Sequence, residues 1–156
     1  MKPSSAWSLV TLQFVFIATL VVLPSGALWP RGVLITVIGG VLVSAGVVFG
    51  ALAGRRLGKT LTPSPIPRDD GQLETTGVYA WARHPIYTAL LTLASGLALW
   101  GASVGHVVVF ALLVVLIGLK ARAEEKMLFA KYEAYAAYAA RVGRFFPGVG
   151  LRTEGK

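Results

Sequence analysis

Long apolar runs separated by polar breaks organise this chain. The first, "WSLVTLQFVFIATLVVLPSGALW" at 7–29, carries no charged side chain, and neither does the second, "GVLITVIGGVLVSAGVVFGALAG" at 32–54. Each exceeds the roughly 20 residues with which a helix crosses a bilayer core. Residues 86–119 form a third uncharged stretch, broken near "GASVGH" at 101–106. It reads as a hairpin of two spans, 86–101 and 106–121. At about 1.5 Å per residue, their uncharged lengths of about 16 and 14 residues are short for a core of about 30 Å. The last span gains length through Lys120 and Arg122, whose long side chains can snorkel.

Beyond it, "KARAEEKMLFAKYEAYAAYAARV" at 120–142 is rich in strong helix formers. Glu124, Leu128, Tyr135, Tyr138 and Val142 fall on one helical stripe, and Glu125, Phe129, Tyr132 and Ala139 on the next. "GRFFPG" supplies glycine and proline as stop signals. The pattern predicts an all-α polytopic membrane protein of one domain, 1–156. It has about four transmembrane helices, a polar loop over 55–85 and a C-terminal helix over 122–142.

Charge sets the expected orientation. With both termini on one side, that side holds Lys2, Arg55, Arg56, Lys59, Arg68, Arg83 and all the basic residues from Lys120 to Lys156, while the other side holds only Arg31. This positive-inside asymmetry predicts cytoplasmic termini and a cytoplasmic 55–85 loop, in an inner membrane of bacterial type. Trp7, Trp29 and Trp100 fall near span ends, where interfacial tryptophans belong. The net charge of +8 therefore needs no nucleic-acid partner; orientation and anionic lipid account for it. Charged residues are 14% of the chain, against about 25% in soluble domains. Ser25 and Ala27 resemble a leader-cleavage site, but the first apolar run is long for a leader.

Gly46, Gly50 and Gly54 lie four apart on one face of the second span, a spacing that lets helix backbones approach closely, within one chain or between two. The loop "RRLGKTLTPSPIPRDDGQLETT" at 55–76 is proline-rich and extended in its middle. Loops of this length are more often lids or binding elements than plain linkers.

Few residues are available for chemistry. The chain has no cysteine, so thiolate chemistry and cysteine-ligated metals are excluded. The two histidines, His84 and His106, fall on opposite sides of the membrane, so no metal site is expected. In "GVYAWARHPIY" at 77–87, Arg83 and His84 precede Pro85, which suits the first turn of the third span. A helix N-terminus and an arginine together favour an anion. Glu124 and Glu125, at the same membrane level across the hairpin, favour a cation or hydroxyl groups. The plainer reading pairs Glu124 with Lys120 and Glu125 with Arg122 along the helix, and leaves Arg83 at lipid phosphates.

"GVYAWARHPIY", an apolar hairpin and "EEKMLFAKYEAYAAYAARVGRFFP" together resemble the isoprenylcysteine carboxyl methyltransferase family and its phospholipid N-methyltransferase relatives. The likeness covers 77–147 and includes Gly96 in the third span; two residues after Tyr87, Ala89 stands where a glycine is common. The resemblance implies a membrane enzyme that uses S-adenosylmethionine to methylate a lipophilic substrate at the cytoplasmic face, with isoprenylcysteine carboxyl methylation as the leading expectation. It implies cofactor contacts from Tyr79, His84, Pro85, Tyr87, Glu124 and Glu125. Arg83 and His84 would be catalytic, and Arg83, Tyr135 and Tyr138 would meet substrate. Phospholipid N-methylation is the nearest alternative. A sterol-type membrane reductase is another, although Ile86 replaces the asparagine common there and the paired glutamates favour methyl transfer. A non-enzymatic membrane scaffold is the third.

Overall fold

The computed structural model describes residues 3–58, 61, 62, 64, 66 and 71–152. Among them are five α-helices: α1 (Pro3–Val22), α2 (Val33–Leu57), α3 (Pro85–Gly101), α4 (Val104–Lys131) and α5 (Ala134–Arg141). A 3₁₀ turn spans Gly77–Ala80, and among the described residues the β-type contact is an isolated bridge between Ala82 and Gly143. Among the described residues, three helices are long and apolar enough to cross a membrane, and α3 is a shorter apolar helix. Large apolar side chains on α1 and α2, such as Phe14, Val22, Val33, Leu34 and Val41, face outward. Exposed apolar surface of this extent suits lipid rather than water. The chain is an all-α membrane protein, as the apolar runs predict.

The α3–α4 hairpin sets the register of everything above it. Its turn is held by Ser103, whose Oγ accepts from the His106 N–H and lies 2.8 Å from His106 Nδ1. Pro85 is 16 residues before the end of α3, and Lys120 is 16 residues after the start of α4. The two are therefore roughly level. With 28 residues against 17, α4 overshoots α3 by about 16 Å, and this overhang carries Glu124 and Glu125.

The expected C-terminal helix over 122–142 needs correction. Its first half is the uninterrupted end of α4. The chain breaks at Tyr132, which is extended (φ −123°, ψ 114°), and α5 begins at Ala134. The stripe running from Glu124 to Val142 is thus bent rather than continuous. No glycine or proline lies at the break. Tertiary contacts account for it: the Tyr132 hydroxyl donates to Gly71 O at 2.7 Å, and Tyr135 and Tyr138 are buried by the turn.

Helix α2 packs along α3, and α1 packs mainly against α4. Close approach of α2 and α3 depends on glycine. A Cβ on Gly46 would meet Ala89 O at 2.7 Å, and one on Gly96 would meet Gly39 O at 2.7 Å. Gly39 itself lies under the Trp100 indole, whose N–H donates to Thr36 O. Of the three glycines singled out by spacing, Gly46 is enforced by α3, Gly50 makes ordinary contact with Ala89, and Gly54 faces Leu61 instead. The glycine contacts are made within one chain. Leu20, Ala94, Ala98, Leu113, Leu116 and Ile117 fill the core between α1, α3 and α4.

Candidate functional site

The overhang of α4, the start of α3, α5 and the described loop residues Leu61, Thr62, Ser64, Ile66 and 71–74 line a cavity of about 360 Å³, within the range of small-molecule sites. Each wall has a local reason. Gly77 takes a positive φ (58°) that opens the 3₁₀ turn, and a Cβ there would meet Arg56 Nε at 2.8 Å. This turn delivers Tyr79 into the wall, which explains the Gly-x-Tyr spacing. Pro85 is the first helical residue of α3 and His84 its N-cap, so the helix starts where the sequence places it.

Arg83 lies beneath the cavity with its side chain fully buried. All five guanidinium N–H groups are engaged. Nε and Nη2 donate to Glu125 Oε1 at 3.0 and 2.7 Å. Nη1 donates to the carbonyls of Ala139 and Val142, and Nη2 also to Gly150 O at 2.9 Å. Ala139 lies in the last turn of α5 and Val142 is its C-cap, so Arg83, with the Arg152 N–H at Ala139 O, satisfies carbonyls that lack a partner within the helix. Glu125 in turn is fully buried and also accepts from Arg144 Nε at 3.0 Å and Nη2 at 2.6 Å. Neither of the helical surface pairs considered for the glutamates forms.

The segment after α5 straps this cluster down. Arg83 N–H donates to Gly143 O and His84 N–H to Arg144 O, while Thr88 Oγ1 donates to Phe145 O at 2.8 Å. A Cβ on Gly143 would collide with Phe146 O. "GRFFPG" is therefore a packed clasp as well as a helix stop.

Glu124 has a different setting. It is partly exposed and lines the cavity. Its Oε2 accepts from the Tyr87 hydroxyl at 2.9 Å and lies 3.6 Å from His84 Nδ1. The His84 ring stacks on Tyr87, with centroids 5.3 Å apart and planes within 10°. Its Nε2 is 3.5 Å from Glu125 Oε1 but lacks hydrogen-bond geometry, so that buried nitrogen has no partner. Tyr138 donates to Tyr79 O at 2.6 Å, whereas the buried Tyr135 hydroxyl has no partner. Burial, reinforced by the charge of Glu125, pushes the Tyr135 hydroxyl well above the usual tyrosine range, so it remains a donor.

The structure brings Tyr79, Arg83, His84, Pro85, Tyr87, Glu124, Tyr135 and Tyr138 to one cavity wall. Glu125 stands behind it in the arginine cluster. Three further contributors were not anticipated: Gln13, Lys120 and Arg144. Gln13 lies in a charge-free run of 23 residues between 7 and 29, and a lone amide in a membrane span is a usable signal. Lys120 does not snorkel. It is 1% exposed, and its Nζ donates to Gln13 Oε1. Nothing in the local sequence distinguishes Arg144 from an ordinary flanking arginine.

These features define an integral membrane protein with a tyrosine-lined cavity that carries both carboxylates and cations at one end of a helical hairpin. A family model described as PEMT, phospholipid methyltransferase, matches residues 34–135. The match covers well over half of the chain, which belongs to this family and is by membership a membrane methyltransferase. No curated protein matches the chain.

Proposed function

We propose that the protein is an S-adenosylmethionine-dependent methyltransferase whose acceptor is the amine headgroup of a membrane phospholipid. The observation that carries this reading is the cavity-facing carboxylate of Glu124, set among tyrosines, while Arg83, the arginine among the described wall residues, is fully spent on the protein itself.

The residues fit the cofactor on two counts. The Tyr135 hydroxyl is buried without a hydrogen-bond partner, as a polar atom awaiting a ligand is, and His84 Nε2 meets only Glu125 Oε1, at 3.5 Å and outside hydrogen-bond geometry. A carboxylate and several aromatic rings offer an environment for a cation. When bound, the cofactor supplies a methyl group on a sulfonium centre that a nucleophile displaces in line. Tyr79, His84, Pro85, Tyr87 and Glu124 would hold it from the α3 and α4 sides, and Tyr135 and Tyr138 from α5. Arg83 and Glu125 are positioning residues: they fix α5 and the clasp against the start of α3.

An ammonium headgroup must release a proton before its nitrogen can attack. Glu124 is the carboxylate available to receive it, with His84 Nδ1 as the next group along. The remaining work is alignment and exclusion of water. The basic loop and termini support a cytoplasmic location for this end of the bundle.

Carboxyl methylation of an isoprenylcysteine, the leading expectation from the resemblance, calls for a cation facing the acceptor carboxylate. Arg83 has no donor left for it, and Lys120 is the cation that remains in the wall.

Labelled S-adenosylmethionine and a total lipid extract, incubated with the purified protein, separate the two readings. Base-stable label in headgroup amines is the expected product. Label released by base as methanol identifies a carboxyl ester and overturns the amine reading. Equal failure of the wild type and of Glu124→Ala/Glu125→Ala to bind the cofactor overturns both.

A further inference from the structure

Lys120 is a deeply buried cation that the arginine cluster does not include. It is 1% exposed and lines the cavity one helical turn before Glu124. Its ammonium donates to Gln13 Oε1, an uncharged amide, and lies 5.2 Å from the centroid of the Tyr87 ring. No described carboxylate forms an ion pair with it. Glu124, the nearest candidate along the helix, is engaged by Tyr87 and faces His84. A buried cation whose nearest carboxylate, Glu124, lies beyond ion-pair distance and acts on it only through space is costly, and in a membrane helix such a charge marks a ligand path more often than a packing role.

Its height in the bundle points to the ligand. Lys120 lies about 24 Å along α4 from the far turn, near the edge of a hydrocarbon core of about 30 Å. Glu124 is about 6 Å further out. Phe14 also lines the cavity, yet is 57% exposed on the outward face of α1, so the wall beside Gln13 and Lys120 is continuous with the lipid-facing surface. An amine phospholipid in one leaflet presents the same sequence of groups: acyl chains, then a phosphodiester, then a short carbon bridge and the amine.

We infer that Lys120, steadied by Gln13, is the anchor for the phosphodiester of the acceptor lipid, one turn deeper in the bundle than the carboxylate that receives the amine. This rests on the amine-phospholipid reading and adds a residue that selects for it. A single lipid then spans both charges, with its phosphate at Lys120 and its nitrogen at Glu124. Gln13 holds the ammonium in the wall and prevents it from swinging to the aqueous boundary.

The test uses the full chain in detergent and two lipids that cannot be methylated at an amine: a diacyl phosphatidylmethanol, which keeps the phosphodiester, and diacylglycerol, which lacks it. Binding is read by native mass spectrometry. The wild type should bind the phosphodiester lipid about tenfold or more tighter than Lys120→Met does, and Lys120→Arg should keep most of that affinity. Affinity for diacylglycerol should be the same in all chains. The double variant Gln13→Leu/Lys120→Met removes both polar partners, so a loss in it cannot come from a stranded amide. Equal binding of phosphatidylmethanol by the wild type and the double variant overturns the anchor. Cofactor binding and amine methylation by the wild type report separately on the underlying reading: their absence alongside lysine-dependent phosphodiester binding would reject the reaction and retain the anchor.

Discussion

The Arg83 guanidinium lies against the carboxylate of Glu125, 2.7 Å from Nη2 to Oε1 and 42 residues away in the chain, with both side chains fully buried. The pair joins the start of α3 to the overhang of α4. Through the remaining arginine donors it also joins α5 and the clasp.

Breaking that pair should unfold this end of the bundle. Arg83→Ala leaves Glu125 to Arg144 and, at 3.8 Å, Arg152, and removes the side-chain donor from the carbonyls of Val142 and Gly150, while Ala139 O keeps the Arg152 N–H; a loss of about 3–5 kcal/mol is expected. Arg83→Lys should not rescue it, because an ammonium cannot reproduce the five-donor fork. Thermal unfolding in detergent, followed by circular dichroism, measures both. A Lys variant as stable as the wild type would contradict the clasp.

Glu124→Gln should behave differently from Glu125→Gln. Glu124 is partly exposed and outside the arginine cluster. Its neutral isostere should keep the melting temperature close to that of the wild type while cofactor binding or turnover falls by about tenfold or more. Glu125→Gln should lower both together. Parallel calorimetry and methylation assays distinguish the two patterns.

Tyr135→Phe should cost little stability, because the lost hydroxyl has no partner to strand. Tyr138→Phe strands the Tyr79 carbonyl and should cost about 1–3 kcal/mol. If the Tyr135 hydroxyl serves a ligand, its removal weakens cofactor or lipid binding without a matching change in melting temperature. Titration calorimetry beside thermal unfolding reads this directly.

Gly46→Ala and Gly96→Ala should each destabilise the α2–α3 packing, since the added methyl meets backbone at 2.7 Å. Gly118→Ala, with nothing within 4 Å of the new atom, should be neutral or slightly stabilising, because alanine favours helix. Urea or thermal unfolding of the three variants ranks them.

Much of the architecture was legible because lipid imposes a simple rule. A helix that crosses hydrocarbon must be apolar for a defined length, and its ends must be polar. The spans, the α3–α4 hairpin and the start of α3 at Pro85 all follow from this rule. The wall residues Tyr79, His84, Tyr87 and Glu124 were legible as a motif, since the hairpin brings its two halves to one level. The break at Tyr132 was not, because alanine and tyrosine continue a helix equally well on either side of it. Burial of Tyr135 and Tyr138 against Leu73, Leu128 and Phe129 decides that turn.

By itself, then, the sequence determined the all-helical membrane fold, the level at which polar groups gather, and which side chains gather there. Only the tertiary structure decided how they divide their work. Whether an arginine is free for a ligand depends on every acceptor within reach of its donors, and those of Arg83 come from Glu125, Ala139, Val142 and Gly150. Whether a lysine snorkels or stays buried depends on the helix opposite, and Gln13 on α1 holds Lys120 inside. Partners so far apart along the chain leave no local pattern, so only folding assigns Arg83 to the frame and Glu124 to the cavity.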